Sequence, residues 1–306
     1  MLFKFAIKDF LDDRKLKNLS PATIKSYEVT LEHFHRYLTQ NEKINVEDVT
    51  QADIKSYLIS CREEGGNRPT SLNHKIGNLK VFFNYMADIE TIEKNPMKKV
   101  QKVKTDVKIE AFTDYHIKQM LNYYRRIKQR NMTLYAYRDY TIIVTLLGTG
   151  IRRGELCNLT WHDVDLANSK MTIYGKARRQ RTIPLTDKLK QELIEWRLFN
   201  EKHFYSFTPE RNVFTDGTGK RLTENAVGNI FKRLAKIMNF RDVRVSAHTF
   251  RHTFAKNWIL SGGDVFSLQR ILGHSTLDMT NKYVSLFGSA IKEQNEKHNP
   301  LNNLDI

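Results

Sequence analysis

Cysteine is nearly absent from this chain. The two that occur, Cys61 and Cys157, fall in stretches read below as separate domains, so no disulfide framework is expected and both thiols should stay reduced. Long apolar runs are missing as well. The longest, Ile142 to Leu147, is broken by Thr145 and falls far short of the roughly 20 residues that a membrane-spanning helix needs. The opening stretch, Met1-Leu2-Phe3-Lys4-Phe5-Ala6-Ile7-Lys8-Asp9, has no sustained apolar core and meets an acid early, which argues against a secretory signal. A cytoplasmic protein with no membrane partner is expected. Neither a GxxxxGK[ST] loop nor an Asp/Glu cluster of metal-binding spacing occurs, so no cofactor and no metal ion is called for. Internal repeats and low-complexity segments are also lacking.

Positive charge is what the chain has in excess. Lys and Arg number 50 against 34 Asp and Glu, a net charge of +16, and the isoelectric point lies near 9.7. A polyanionic partner follows, with nucleic acid the leading candidate. At 306 residues there is room for two cores.

The first third reads as four short helices. Ile7, Phe10 and Leu11 set one apolar face; Ser20-Pro21 offers an N-cap followed by proline at the first helical position. Ile24, Tyr27, Leu31, Phe34 and Leu38 recur at three- and four-residue steps, an amphipathic pattern. Thr50 can cap a third helix with Ile54, Tyr57 and Leu58 inward. After the turn Gly65-Gly66-Asn67-Arg68-Pro69, a fourth is marked by Leu72, Ile76, Leu79, Phe82, Phe83 and Met86. Its other face carries Asn73, His74, Lys75, Asn78 and Lys80, donors suited to phosphates or base edges, or else simply a solvated helix face. From Asn95-Pro96 to Lys108 the chain turns polar, with Lys98, Lys99, Lys102, Lys104 and Lys108 and no apolar periodicity. This reads as a basic interdomain linker able to cross a DNA backbone. The expected organisation is a helical domain over 1–95, a linker over 96–108, a second domain over 109–287 and a tail over 288–306.

In the second domain, Thr113 or Asp114 can cap a helix running through Leu121, and an apolar helix from Tyr140 to Leu147 is expected to stop at Gly148. A new helix after Gly150 would place Arg152 and Glu155 on one face of its first turn. Lys170-Met171-Thr172-Ile173-Tyr174 and Arg181-Thr182-Ile183-Pro184-Leu185 have strand character, with a hairpin loop from Gly175 to Gln180 between them. Helices resume from Asp187, from Thr223 and around Thr249. The fold class is therefore mainly α with a small antiparallel β element.

Several chemistry-bearing residues stand out. Arg152 follows the loop Gly148-Thr149-Gly150, which brings backbone close to a ligand, and Arg251 stands three residues after His248 on one helical face. Two guanidiniums can grip the non-bridging oxygens of one phosphate and hold the extra charge of a pentavalent transition state. His248 and His252, four apart, have the spacing of a zinc pair, but Thr249 and Phe250 stand where an HExxH motif needs glutamate, and no third ligand is near. Lys176, in the hairpin loop, can protonate a departing oxygen, while Arg178, Arg179 and Arg181 beside it suit phosphate binding. Glu155 suits the first turn of a helix through the dipole alone. Tyr283, in Thr280-Asn281-Lys282-Tyr283 downstream of Leu272-Gly273-His274, offers a nucleophilic phenol.

These motifs, in the order Gly150-Ile151-Arg152-Arg153-Gly154-Glu155-Leu156, Tyr174-Gly175-Lys176, His248-Thr249-Phe250-Arg251, Leu272-Gly273-His274 and Tyr283, resemble those of the tyrosine recombinase (phage integrase) family. The resemblance covers about Phe112 to Tyr283 by motif and residues 1–95 by length and helical pattern only; the hairpin departs from it in having Ala177 where glycine is common. It implies a helical core-binding domain and a mixed α/β catalytic domain that together clamp duplex DNA. It further implies Arg152, Lys176, His248, Arg251, His274 and Tyr283 as catalytic residues, with Tyr283 the nucleophile. His248 would be the general base or a hydrogen-bond donor, Glu155 a buttress and His252 a packing residue. No ATP or metal is implied. The expected partners are double-stranded DNA, a homotetramer assembled on two DNA sites, with the tail docking on a neighbouring protomer, and accessory DNA-bending or excision factors. The expected function is recombination by a mobile-element integrase, with Xer-like dimer resolution, type IB topoisomerase-like relaxation and a non-catalytic DNA-binding regulator as alternatives.

Overall fold

The computed structural model of the chain describes residues 1–105, 109–175, 180–204 and 207–287, together with 295, 296, 299 and 302. It divides into two compact units, Met1–Val107 and Lys108–Ile306.

The first unit consists of α1 (Phe3–Leu16), α2 (Pro21–Gln40), α3 (Gln51–Glu63) and α4 (Pro69–Asp88). Local sequence starts these helices where expected. The Ser20 hydroxyl accepts from the Thr23 amide at 3.2 Å with Pro21 in the first turn, and Thr50 forms a reciprocal capping box with Asp53. The core is aromatic: Phe3, Phe10, Phe34, Phe82 and Phe83 are fully buried and meet largely edge to face, with ring centroids 5.7 Å apart for Phe3 and Phe34 and 5.4 Å for Phe10 and Phe82. Each such ring contributes about 1.5–3 kcal/mol through area removed from water.

The polar residues of α4 do not act as one free face. Asn78 is buried and its amide donates to Thr30 Oγ1 at 2.8 Å and to the Ser26 carbonyl at 3.1 Å. The expectation of a DNA-facing Asn78 is therefore corrected: a buried amide must find partners, and α2 supplies them. His74 Nε2 lies 2.8 Å from Ser26 Oγ, and Lys75 donates to Tyr57 Oη at 3.4 Å. Asn73 pairs with the backbone of Val103 in both directions, at 2.8 Å each way. Lys80 is exposed. Part of the stretch expected to be a linker packs on this unit, since Met97 is fully buried in its core, while Lys98, Lys99 and Lys102 are exposed.

The second unit runs α5 (Asp114–Asn131), α6 (Leu134–Thr149), α7 (Arg153–Asn158), a single 3-10 turn, β1 (Val164–Asp165), β2 (Lys170–Tyr174), β3 (Gln180–Pro184), α8 (Asp187–His203), α9 (Glu224–Met238), α10 (Ala247–Leu260), α11 (Val265–Leu272) and α12 (Asp278–Phe287). The strands form one antiparallel sheet in the order β1-β2-β3, with Met171 opposite Ile183. Met171, Ile173 and Ile183 point into the core, and Lys170 and Tyr174 point out, the period-two pattern of a half-buried sheet. The apolar run Ile142 to Leu147 is the middle of α6, which packs against α5, α8 and α10.

Several boundaries differ from expectation: α6 begins at Leu134 rather than Tyr140, and β3 spans Gln180–Pro184 rather than Arg181 to Leu185. α5 continues to Asn131 rather than ending near Leu121. α6 does not stop at Gly148 but runs one residue further and is closed by Gly150, whose φ of +61° is the left-handed cap. Gly148 is an ordinary helical residue, and Arg152 is the N-cap of α7 with Glu155 at its third position.

Gly150 has no room for a side chain. An added Cβ would stand 2.7 Å from Phe254 Cδ1 and 2.9 Å from Leu272 Cδ2. Gly150→Ala should cost about 2–4 kcal/mol, from left-handed strain and overpacking together. Gly148→Ala, facing only the flexible Leu189 side chain at 3.1 Å, should cost about 1 kcal/mol or less. Urea denaturation of the two variants checks this; equal losses would refute the cap assignment.

Candidate active site

The start of α10 supplies the first residues. Ser246 caps it, its hydroxyl accepting from the Thr249 amide at 3.2 Å, and the helical repeat then places His248, Arg251 and His252 on one face. Arg251 is 3% exposed, and its two terminal nitrogens donate to the carbonyls of Gly150 at 2.8 Å and Leu272 at 2.7 Å. Both acceptors are end carbonyls, of α6 and α11, left without intrahelical partners and lying at the negative pole of a helix. Burial, and then the neighbouring Arg152, pull the Arg251 pKa down to about 10, and the group remains a full cation at neutral pH.

Arg152 arrives from the other side. Its backbone amide donates to Glu155 Oε2 at 2.8 Å, its Nη1 to Glu155 Oε1 at 2.9 Å, and its Nη2 to the Gly273 carbonyl at 3.2 Å. Glu155 also receives both terminal nitrogens of Arg181, at 2.9 and 2.7 Å, while Arg181 Nε donates to the Ile271 carbonyl at 2.7 Å. Burial alone would raise the Glu155 pKa, but the hydrogen bonds from Arg181 and from the Arg152 amide overcome it and hold the carboxyl down at about 2. Arg181, expected to bind phosphate, is thus corrected: its side chain is only 12% exposed and its fork is spent on Glu155 and the end of α11. It joins β3 to both.

Tyr283 lies on α12 and is 4% exposed. Its hydroxyl is 2.7 Å from His252 Nδ1, and its ring runs parallel to that of His274, with centroids 6.3 Å apart. His274 Nδ1 is in turn 2.8 Å from the hydroxyl of the buried Thr280. Burial raises the Tyr283 phenol pKa, against the pull of Arg251 and Arg152. Desolvation lowers all three imidazoles: His274 to about 4, with Arg251 and Arg152 adding to the effect; His252 to about 4, with His248 and Arg251 adding; and His248 downward, with the same two arginines. All three rings are neutral at pH 7. His248 and His252 meet edge to face, ring planes 74° apart and centroids at 4.5 Å, unlike two nitrogens converging on a shared ion.

Structure therefore brings together Arg152, Glu155, His248, Arg251, His274 and Tyr283. Lys176, Arg178 and Arg179 lie outside the described residues. Two neighbours escaped sequence reasoning. His252 touches the phenol rather than packing behind it, a contact signalled only by its four-residue spacing from His248; Thr280, which orients His274, carried no signal beyond lying one turn before Tyr283. Among the described residues, no group of three or more His, Cys, Asp or Glu could hold a metal ion. The cluster can bind an anion: two of the five N–H donors of Arg251 are engaged by backbone, leaving three. Beside that anion sit a phenol and neutral imidazoles able to move a proton.

The profile of the Phage integrase family matches residues 111–288, and that of the Phage integrase N-terminal SAM-like domain matches residues 7–88. Tyrosine recombinase XerC of Thermodesulfovibrio yellowstonii is 28% identical over 307 residues, covering 99% of this chain and 98% of the relative. Tyrosine recombinase XerD of Shewanella oneidensis is also 28% identical, covering 96% of each. The fold is that of the integrase of transposon Tn1549, solved in complex with a circular intermediate DNA (TM-score 0.77, 23% identity, 97% of this chain and 98% of that one). It is also that of XerH site-specific recombinase bound to a palindromic difH substrate (TM-score 0.73, 20% identity, 94% and 82%).

The charges at the site should show in acid stability. Glu155 has a lowered pKa, so its contribution is complete above its ordinary value of 4.5 and is lost as pH falls toward about 2. His252 and His274 are lowered from 6.5 to about 4, so the unfolded chain binds protons first and stability falls between pH 6.5 and 4. Thermal melts across pH 2–7 should show both declines, and His252→Asn should flatten the upper one. Glu155→Ala, which strands two guanidiniums, should cost about 3–5 kcal/mol at pH 7; a loss below about 1 kcal/mol would show that the carboxylate holds nothing in place.

Proposed function

This chain belongs to the phage integrase family, and we propose that it is a site-specific recombinase that cuts and rejoins duplex DNA through a 3′-phosphotyrosyl bond at Tyr283. The observation that carries the reading is the seating of one buried phenol beside two partly unsatisfied guanidiniums, Arg152 and Arg251, and the imidazoles of His248 and His274. A phosphodiester seated on the guanidiniums would have its charge neutralised as five-coordinate phosphorus forms. His248 and His274 donate to its non-bridging oxygens. The Tyr283 oxygen attacks, the bond to the 5′ oxygen breaks, and a free 5′ hydroxyl remains; attack by the 5′ hydroxyl of the partner duplex then releases tyrosine. Because one ester replaces another, no external energy source is required.

Lys176, which falls between β2 and β3 in the sequence, is assigned the proton donor to the 5′ oxygen, on the chemistry of an ammonium and on its place in the family motif. Glu155 is the buttress of Arg152. Exposed Lys80, Lys98, Lys99 and Lys102, with Arg178 and Arg179, supply charge for the DNA backbone. Exchange between two duplexes breaks four strands, so the working form is a homotetramer on two sites, with the residues after Tyr283 linking neighbours head to tail. Accessory DNA-bending or excision factors complete the complex.

We assign the exchange to a mobile element. The reading as an Xer-like resolvase is favoured by one observation, the end-to-end coverage of the XerC relative. Circularised cargo carrying flanking repeats would support the first, and resolution of chromosome dimers at a single chromosomal site the second. Relaxation of supercoiled plasmid without any site requirement would overturn both in favour of topoisomerase-like action.

Tyr283→Phe should bind DNA undiminished and form no covalent adduct with a nicked suicide duplex on a denaturing gel; an adduct from the variant would overturn the nucleophile. Lys176→Ala should slow cleavage by about 10²–10⁴-fold with a 5′-oxygen leaving group and leave a 5′-thio substrate nearly unaffected, since a thiolate departs without a proton. Equal losses on the two substrates would remove Lys176 from the acid role.

A further inference from the structure

His252 is the group that touches the reacting atom, and no role in the reaction described above uses it. We propose that His252 is a catalytic residue: it accepts the Tyr283 proton during attack and returns it when the phosphotyrosyl bond is resolved. The inference rests on Tyr283 being the nucleophile. Three features of geometry support it. The His252 Nδ1 to Tyr283 Oη separation of 2.7 Å is a strong hydrogen bond, and between a neutral phenol and a neutral imidazole the phenol is the better donor. The rings meet at 55° with centroids 5.6 Å apart, so the contact is through the nitrogen edge and not a stack. The other imidazoles are differently engaged: His274 Nδ1 faces Thr280 Oγ1 at 2.8 Å, and His248, exposed to solvent, meets the His252 ring in a T-shaped contact.

The charges around His252 make the transfer depend on substrate. Facing it are Arg251 and His248 from α10, Tyr283 from α12, Glu110 from the segment before α5, and His274 from the loop before α12. With the site empty, burial first, and then His248 and Arg251, hold the imidazole at about 4, too weak a base to take a phenolic proton. A phosphodiester anion seated on Arg152 and Arg251 offsets the Arg251 part of this and so raises the basicity of His252 as the nucleophile is needed. In the forward step the Oη–H bond breaks and Nδ1–H forms, while Oη–P forms, P–O5′ breaks and O5′ takes a proton from the ammonium assigned to Lys176. Rejoining reverses each transfer, with the His252 imidazolium protonating the departing Tyr283 oxygen.

The test uses full-length protein and the nicked duplex that wild-type chain captures covalently from a randomised pool. Wild-type adduct formation should be independent of pH above the imidazole pKa of the complex. His252→Phe should lose about 10²–10⁴-fold at pH 7 and recover in proportion to hydroxide concentration. His252→Asn places an amide where Nδ1 stood, keeps a hydrogen bond to the phenol and supplies no base, so it should be as slow as the Phe variant. Replacing Tyr283 by a fluorinated tyrosine of lower phenol pKa should restore the His252 variants far more than it speeds the wild type. Rescue by Asn, a loss equal at every pH, or no gain from fluorotyrosine would reduce His252 to a packing residue and overturn the proposal. An adduct formed by Tyr283→Phe, or no capture by the wild type, would instead overturn the nucleophile itself and the proposal with it.

Discussion

Three guanidiniums, drawn from β3, from α10 and from the N-cap of α7, end on three successive carbonyls, those of Ile271, Leu272 and Gly273 at the close of α11. The rest of the second unit's site depends on this convergence. A helix C-terminus has carbonyls to spare and a negative pole, so it can gather cations whose mutual repulsion would otherwise scatter them. Glu155 supplies the only carboxylate that bridges two of the three arginines among the described residues, and it takes Arg181 with both oxygens. Gly273, with φ of +63°, both closes α11 and leaves space for the fork: a Cβ there would meet Arg181 Nη1 at 3.0 Å and Cδ at 3.1 Å.

The arrangement is left electrically incomplete. Arg181 is satisfied by Glu155, but Arg251 has only neutral carbonyls for partners, and its lowered pKa records burial and the nearness of Arg152. Burial is the larger cause of the lowered pKa of His248, His252 and His274, and Arg251 adds to it in all three. One anion placed between Arg152 and Arg251 would offset the charge part of all four shifts at once, so substrate binding also sets proton affinities. Preorganised donors of this kind cost little reorganisation at the moment of reaction.

How much of this was legible in the sequence follows the range of each interaction. Caps at Ser20, Thr50 and Thr113 need residues three positions away, and all three form. The face shared by His248 and Arg251 needs only the helical repeat. Arg181 was misjudged because its partners stand 26 and 90 residues distant; beside Arg178 and Arg179 it looks like one more phosphate ligand. Asn78 was misjudged for the same reason, since its acceptors come from α2, about 50 residues earlier. The C-cap at Gly150 rather than Gly148 reflects tertiary packing: both glycines can end a helix, and only at Gly150 do Phe254 and Leu272 close over the missing side chain.

The contact of His252 with Tyr283, hinted at only by the spacing from His248, spans 31 residues and bears on how the nucleophile is kept in place. α12 buries only Thr280 and Tyr283 fully, with Val284 and Phe287 partly covered against Ala255, Ile259, Leu268 and Leu272. A ten-residue helix with so narrow an apolar contact draws much of its docking from those two residues, and both are tied to imidazoles, Thr280 to His274 and Tyr283 to His252. The side chains that seat α12 are thus also the ones poised around the reacting oxygen. Position and chemistry are coupled here: a substitution that loosens the seat moves the phenol, and one that removes an imidazole's hydrogen bond loosens the seat, whereas one that keeps the bond changes the chemistry alone. That coupling falls on three side chains of the stretch, His274, Thr280 and Tyr283, while Ser275, Thr276, Asp278, Asn281 and Lys282 are exposed around them.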